Sequence, residues 1–455
     1  MEQRSKLIHW NTLRKLLFTV LCVCLLGFVS CRDKDSSQEA YDPSKPVQLT
    51  SFYPDSGKYL EKVILTGENF GLDPDNIKVY FNSKRATVIG AIGNRMYTIA
   101  PRLPGDTCII SVVVGKDSVT YDKFFRYKAV VSVSTITGTG LSTEYQEGDV
   151  SEAILQPRYV CIDNEDNIFM TIWGHENSVY DGSKAYTCFS RLNEVEGMVS
   201  TVLGSTVCNI PCADPVTGVI SVPTQTTVGS FITCDPKEHW APRYREMKWS
   251  PLITDRPSQG WKHCMVVNPA DGFLYTRYHF GHVVKINPQT LEVELVYKTT
   301  VGNGDTYGLT FRPGEPNILY MSFWSDSGLG FLKHSICSID VTDPENTFKK
   351  LSGASSDGGH RDGPLEEALF RQPAQIYCDA EGNLYVADCG NHCIRRITPT
   401  NRVETVLGMP GTAGWKDGGK EVALFDHPMG IGISKDGSVY VGDWGNSRLR
   451  KLSIN

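Results

Sequence analysis

The sequence predicts an all-β protein with two folded parts, on three observations. Tyr, Phe, Trp and Gly are all abundant, at 20, 18, 8 and 42 of 455 residues, which suits short strands joined by tight turns. Helical periodicity is absent beyond the first 30 residues. Segments also repeat: "LYVADCGNHCIRRI" (Leu384–Ile397) and "VYVGDWGNSRLRKL" (Val439–Leu452) share one frame, with Asp388, Gly390, Asn391 and Arg395 matching Asp443, Gly445, Asn446 and Arg450. The cysteines and the histidine of the first stretch are not repeated, so the shared residues read as scaffold. A hydrophobic fraction of 40% allows a large core and more than one domain. A net charge of −6 argues against nucleic acid as a partner, because phosphate contacts need a concentrated basic face.

The first segment is of another kind. Arg4, Lys6, Arg14 and Lys15 precede the apolar run "LLFTVLCVCLLGFV", which is short for a bilayer span and suited to a signal-peptide core. It ends in "FVSC", with Ser30 directly before Cys31, and resembles a bacterial lipobox. That resemblance implies a signal peptide over residues 1–30, lipidation at Cys31 and a membrane contact made through the lipid alone. Residues 31–45, rich in Asp, Ser and Lys, are expected to form a flexible tether. Asp33 and Asp35 resemble the surface-export signal of Bacteroidetes lipoproteins, which implies an outer-membrane, cell-surface location.

From residue 46 to 128, short alternating strands ("EKVILTG", "IKVYF", "CIISVVV") are separated by Gly, Pro and Asn turns, the pattern of a small β-sandwich. "YPDSG" (Tyr53–Gly57), "VILTGENFG" (Val63–Gly71) and "APRLPG" (Ala100–Gly105) resemble an IPT/TIG immunoglobulin-like module. Such modules act as spacers or interaction domains, so no chemistry is expected of this one.

Residues 129–455 are organised by repetition. "GDVSEAILQP", "DGPLEEALFRQP" and "DGGKEVALFDHP" each lead into an apolar strand, an Asp/Asn/Gly turn and a second strand, and "HCMVVNPADGFLYTRY" and "LTFRPGEPNILYMSF" keep the rhythm more loosely. This pattern resembles the NHL repeat. A four-stranded unit cannot bury both faces alone, so such units pack around an axis as a β-propeller. First strands near residues 157, 264, 308, 373 and 428 mark five blades, and the interval from Gly204 to Trp261 has room for a sixth. "VSTVLG" (Val199–Gly204) and "VETVLG" (Val403–Gly408) end two blades, whereas the last stops at "RLRKLSIN". "VSTITG" (Val133–Gly138) is therefore expected to complete it, the N-terminal strand closing the C-terminal blade.

Aligned this way, Asp388 and Asp443 end second strands and are expected to bond turn backbone. Ile172, Tyr278 and Phe323 occupy the same column, and the next column reads Trp173, His279, Trp324, Cys389 and Trp444. Equivalent turns emerge on one face, so Trp173, Tyr278, His279, Phe323, Trp324 and Trp444 are expected to ring it, with Phe280 beside them. Aromatic rings there suit the C–H faces of sugars. Arg158, Lys262, His263 and Arg312, read as arriving at the same face, are candidates for carboxylate or sulfate groups. Wedging between blades is the competing role for the indoles.

The other chemistry-bearing residues carry less. Eleven cysteines remain beyond Cys22, Cys24 and Cys31 and read mostly as buried thiols, with Cys208/Cys212 and Cys389/Cys393 spaced for a local disulfide or half a metal site. "DPDN" (Asp73–Asn76) and "DNEDN" (Asp163–Asn167) resemble parts of calcium loops without the full spacing. No nucleophile elbow, zinc-protease or P-loop motif occurs. His175, His263, His279, His282 and His360 are the candidates for a metal-dependent lyase or hydrolase. The reading favoured here is non-catalytic and without cofactor. It is a surface lipoprotein binding a glycan as an accessory to uptake, alongside outer-membrane uptake proteins, with an adhesion scaffold as the alternative.

Overall fold

Strict alternation of apolar and polar side chains builds the first unit. In the computed structural model, which describes residues 40–454 except 83, 103–106, 129–130, 141–143, 174–186, 226–227, 299–305, 325–331 and 354–356, the chain divides into two units after Ala129. Strand Thr107–Val114 buries Cys108, Ile110, Val112 and Val114, one residue in two, as a strand with one solvated face must. It lies between Ile77–Phe81 and Asp117–Tyr127, while Lys62–Glu68 pairs with Gln48–Tyr53 and Arg95–Ile99. Lys84–Ala91 joins the two groups, pairing with strands of both. The faces close over Val63, Leu65, Phe81, Val112 and Phe125, with the Phe81 and Phe125 rings edge to face at 5.1 Å. Gly67 is required there, because a Cβ would lie 2.0 Å from the Gln48 carbonyl oxygen.

The second unit, Val130–Ile454, contains six sheets of four or five strands, antiparallel except where Lys248–Trp249 runs parallel to Glu292–Lys298. Their first strands are Pro157–Ile162, Cys212–Ala213, Lys262–Val267, Gly308–Arg312, Pro373–Cys378 and Pro428–Ile433. Each touches the next and the last touches the first, so they form a closed ring around an axis. This is a six-bladed propeller. Blade 2 lies in the interval between Gly204 and Trp261, as expected. Its outer strands Ile220–Pro223, Ser230–Cys234 and Pro242–Glu246 are ordinary, but its first strand is cut to two residues.

Closure follows the expectation. Val131–Thr137 pairs antiparallel with Arg448–Ile454, with Val133 opposite Leu452 and Thr137 opposite Leu449. The last blade is thus made from both ends of the unit, which removes an open edge.

The repeated Asp, Asn and Arg form a buried network that occurs twice with the same geometry. Asp388 accepts from the Arg371 N–H (2.8 Å), Asn391 Nδ2 (2.8 Å) and Arg395 Nη1 (2.8 Å). Asp443 accepts from the Asp426 N–H (2.8 Å), Asn446 Nδ2 (2.8 Å) and Arg450 Nη1 (2.7 Å). Each arginine donates again to a second carboxylate, Asp362 for Arg395 and Asp417 for Arg450, both at 2.6 Å. Asp417 also accepts the Thr135 N–H at 3.0 Å, so the network of the last blade holds the closing strand. No disulfide joins the cysteines among the described residues, and all of them but the half-buried Cys378 are buried.

Asp443 and Arg450 are fully buried, so Asp443→Leu leaves a guanidinium with half its counter-charge gone in the core. The expected loss is about 3–5 kcal/mol by urea denaturation; a loss below about 1 kcal/mol would show the network to be dispensable.

Candidate functional site

The propeller's register selects which side chains meet at one end of the axis. Pro157 pairs with Ile172, Lys262 with Tyr278, Pro373 with Asp388 and Pro428 with Asp443. The residues following these second-strand ends, Trp173, His279, Cys389 and Trp444, therefore share one end of the wheel, and Trp324 follows Phe323 in the same way. Immediately inside them the first strands are irregular. The register shifts between Pro157 and Tyr159 and between Lys262 and Cys264, which leaves Arg158 and His263 as bulge residues. A bulge releases its extra residue from the pleat and re-aims the side chain.

Arg158 uses that freedom to cross the mouth of the channel. Its guanidinium carbon lies 4.2 Å from the Trp173 ring centre, 5.4 Å from Tyr159, 5.6 Å from Tyr307 and 5.7 Å from Trp444. Tyr307 belongs to the approach to blade 4, opposite blade 1, and sets its ring edge to face on Trp324 (5.3 Å) and on His263 (5.2 Å). His263 Nε2 and His279 Nδ1 are 3.3 Å apart, and Trp261 packs on His279 at 5.1 Å. The result is a continuous aromatic cluster around one cation, reaching solvent through Trp261, which is 39% exposed. Trp324, Trp444, Tyr307, His279 and Arg158 are half-buried.

Several expected residues stand elsewhere. Trp173 is largely buried and donates Nε1–H to the Cys208 carbonyl at 2.8 Å, so it wedges blade 1 against blade 2 while stacking on Arg158. Tyr278 and Phe323 are fully buried, because their column points into the sheet packing rather than out of it. Tyr278 donates to the Val228 carbonyl at 2.6 Å, and Phe323 lies under the Arg277 guanidinium. Lys262 is also fully buried, with Nζ 3.1 Å from the Gly260 carbonyl and over the Tyr278 ring. Arg312 ends its strand at the opposite end of the axis and pairs with Glu315 and Tyr320. The five candidate histidines are not gathered: His282 bonds Asp255, His360 bonds Thr405, and His175 lies outside the described residues, as does Cys31. Asp73 and Asp163 spend their carboxylates on their own turns, on Asp75 and Asn76 and on Glu165 and Asn167.

Tyr307 and Trp261 belong to the cluster and were not anticipated. Both sit just before or at the start of a first strand, and that column, read for aromatics as the second-strand ends were, would have shown them.

One further group of ligating atoms, from His392, Asp426 and His427, lies within 4.8 Å of one another. His392 Nδ1 accepts the His427 N–H at 3.2 Å, and His334 Nδ1 accepts the Gln372 N–H at 3.0 Å at the equivalent position one blade earlier. The repetition identifies a latch between neighbouring blades. Burial and the neighbouring His427 hold His392 below the usual histidine range, which keeps it a neutral acceptor.

Below the mouth, Gln375 ties together the first strands of blades 5, 1 and 6. Gln375 donates to the Val160 carbonyl (2.7 Å) and accepts from the N–H groups of Val160 (3.1 Å) and Ile431 (3.2 Å). Beyond it, at the far ends of the first strands, a cavity of about 250 Å³ is lined by Cys161, Cys212, Cys264, Phe311 and Tyr377.

Comparison with known proteins agrees with this architecture. Residues 46–127 match the IPT/TIG domain and residues 370–397 match the NHL repeat. The chain carries an IPT/TIG domain and an NHL repeat. A structure of a protein of unknown function from Bacteroides thetaiotaomicron superposes on this IPT/TIG–NHL chain with TM-score 0.77 at 24% identity, covering 92% of it and 100% of that protein. An auxiliary nutrient binding protein from the same organism superposes with TM-score 0.58 at 22% identity, covering 91% and 99%. These likenesses establish the fold. Among curated proteins, the chloroplastic SUPPRESSOR OF QUENCHING 1 of Arabidopsis thaliana is 37% identical over 98 residues, which are 21% of the present chain and 9% of that protein. The IPT/TIG–NHL chain thus spans a small part of that relative.

Burial lowers Lys262 to about 7. Between about pH 7 and 10 the unfolded chain holds this proton and the folded chain does not, so stability rises with pH in that window; below it both states are protonated and the burial penalty is constant. The melting-temperature difference of Lys262→Met over the parent is expected to be flat from about pH 5 to 7 and to move in the parent's favour from about pH 7 to 10. A difference that is constant across the whole range contradicts a desolvated lysine.

Proposed function

We propose that this chain is a non-catalytic, cell-surface carbohydrate-binding protein, accessory to polysaccharide uptake, that holds its ligand over the aromatic mouth of the propeller. The observation that carries the reading is the convergence of Trp324, Trp444, Trp261, Tyr307 and His279 at one end of the axis, from blades far apart in sequence. Flat apolar rings with a polar edge suit the C–H faces and hydroxyls of sugar rings. Similarity to an auxiliary nutrient binding protein of Bacteroides thetaiotaomicron supports this as an analogy of fold. A lipid on Cys31 would anchor the chain to the outer membrane, with residues 31–45 as tether and uptake proteins of that membrane as neighbours.

The chemistry at the mouth favours binding over catalysis. Its described side chains present aromatic faces, two facing imidazoles and a guanidinium.

Affinity electrophoresis of the purified protein in gels containing a panel of polysaccharides tests the reading. One or more should retard the parent, and Trp261→Ala with Trp324→Ala should weaken retention by up to about tenfold per ring. Unchanged retention in the double variant removes the mouth as the binding site. Separately, Cys31→Ser should move the protein from the membrane fraction to the soluble fraction, and continued membrane association would exclude the lipid anchor.

A further inference from the structure

The enclosed arginines of this propeller differ in their partners, and the fully buried Arg277 donates to the Thr306 hydroxyl at 2.6 Å and lies over the Phe323 ring. Arg395 meets Asp388 and Asp362, and Arg450 meets Asp443 and Asp417, each at 2.6–2.8 Å. Arg312 meets Glu315. Arg158 has no carboxylate within ion-pair distance among the described residues, and four aromatic rings surround it instead. Cation–π contact offsets part of the cost of withdrawing a charge from water, but supplies no counter-charge.

A second donor stands in the same cage. Trp173 donates its indole N–H to Cys208 and Trp415 donates its own to Thr135. The indole Nε1 of Trp444 is enclosed without a hydrogen-bond partner, and so is Nε of Arg158. An enclosed donor left unmade costs stability, so two in one cage, beside a cation that meets no carboxylate among the described residues, mark a place shaped for an acceptor that carries negative charge. Both residues are half-buried, so the cage keeps contact with solvent.

We infer that Arg158 and Trp444 form the anion-recognising subsite of the propeller mouth, and that the ligand is an acidic polysaccharide bearing uronate carboxylates or sulfate esters. The inference rests on the carbohydrate-binding reading and adds the charge of the ligand. A planar guanidinium takes two oxygens of a carboxylate or sulfate along parallel N–H bonds, the Trp444 N–H reaches a further lone pair, and the neighbouring rings of Trp324 and Trp261 accept the adjoining sugar face.

The test uses matched polymers in affinity electrophoresis: polygalacturonate against its carboxyl-reduced neutral product, and dextran sulfate against dextran. The purified protein should be retarded by a charged member and not by its neutral counterpart, with retention falling as salt is raised; which charged polymer retards it separates carboxylate from sulfate. Arg158→Met should lose at least about tenfold in affinity and Arg158→Lys less. Should Arg158→Met fail to fold, Trp444→Phe, which keeps the ring and loses only the N–H, should still weaken retention severalfold at unchanged melting temperature. Equal retention by charged and neutral members, or parental retention in Arg158→Met or Trp444→Phe, overturns the inference while the carbohydrate-binding reading stands. Retention by none of the polysaccharides overturns both.

Discussion

Pairing of Val131–Thr137 with Arg448–Ile454 is the constraint on which the propeller depends. A blade contributes one first strand to the axial ring, and the ring closes only if the last sheet is complete enough to pack on the first. The closing strand is fixed by more than its ladder. Asp417 holds both the Thr135 backbone and the Arg450 guanidinium, so the ionic network that shapes the last blade also grips the strand that completes it. Gly430 and Gly442 are part of the same constraint, since a Cβ on either would press on the backbone around Arg158 in blade 1 at 2.8–3.1 Å.

Within that wheel, arginine serves two purposes that the environment separates. Arg395 and Arg450 are matched by carboxylates and backbone carbonyls on all sides, and they order the turns of blades 5 and 6. Arg158 occupies a bulge, where the chain breaks register and sends the side chain across the axis into aromatic faces. The same residue type meets carboxylates in one setting and, among the described residues, aromatic rings alone in the other. Blades 3 and 4, which keep the repeat loosely, supply His263, His279, Tyr307 and Trp324, and there the Asp of the regular blades is replaced by Tyr278 and Phe323.

The sequence by itself determined the all-β class, the IPT/TIG unit, the six blades and their closure, because these rest on local period and on motifs that recur at matching positions. Asp388 and Asp443 were legible as scaffold for the same reason: each repeats with its Asn and Arg at the same offsets. The column of Trp173, His279, Trp324 and Trp444 was legible too, since repeat alignment places equivalent residues at one end of the axis. Tertiary structure alone decided which of them reach solvent. Alternation cannot say that Tyr278 and Phe323 turn into the packing between blades, or that Lys262 is sealed beneath them, because that depends on the adjoining blade. The bulge after Pro157 was equally invisible, being one extra residue in a pairing whose register only the folded sheet defines. It is that bulge, bringing Arg158 across to Tyr307 and beside Trp444, that turns a row of strand ends into an aromatic cage around one cation.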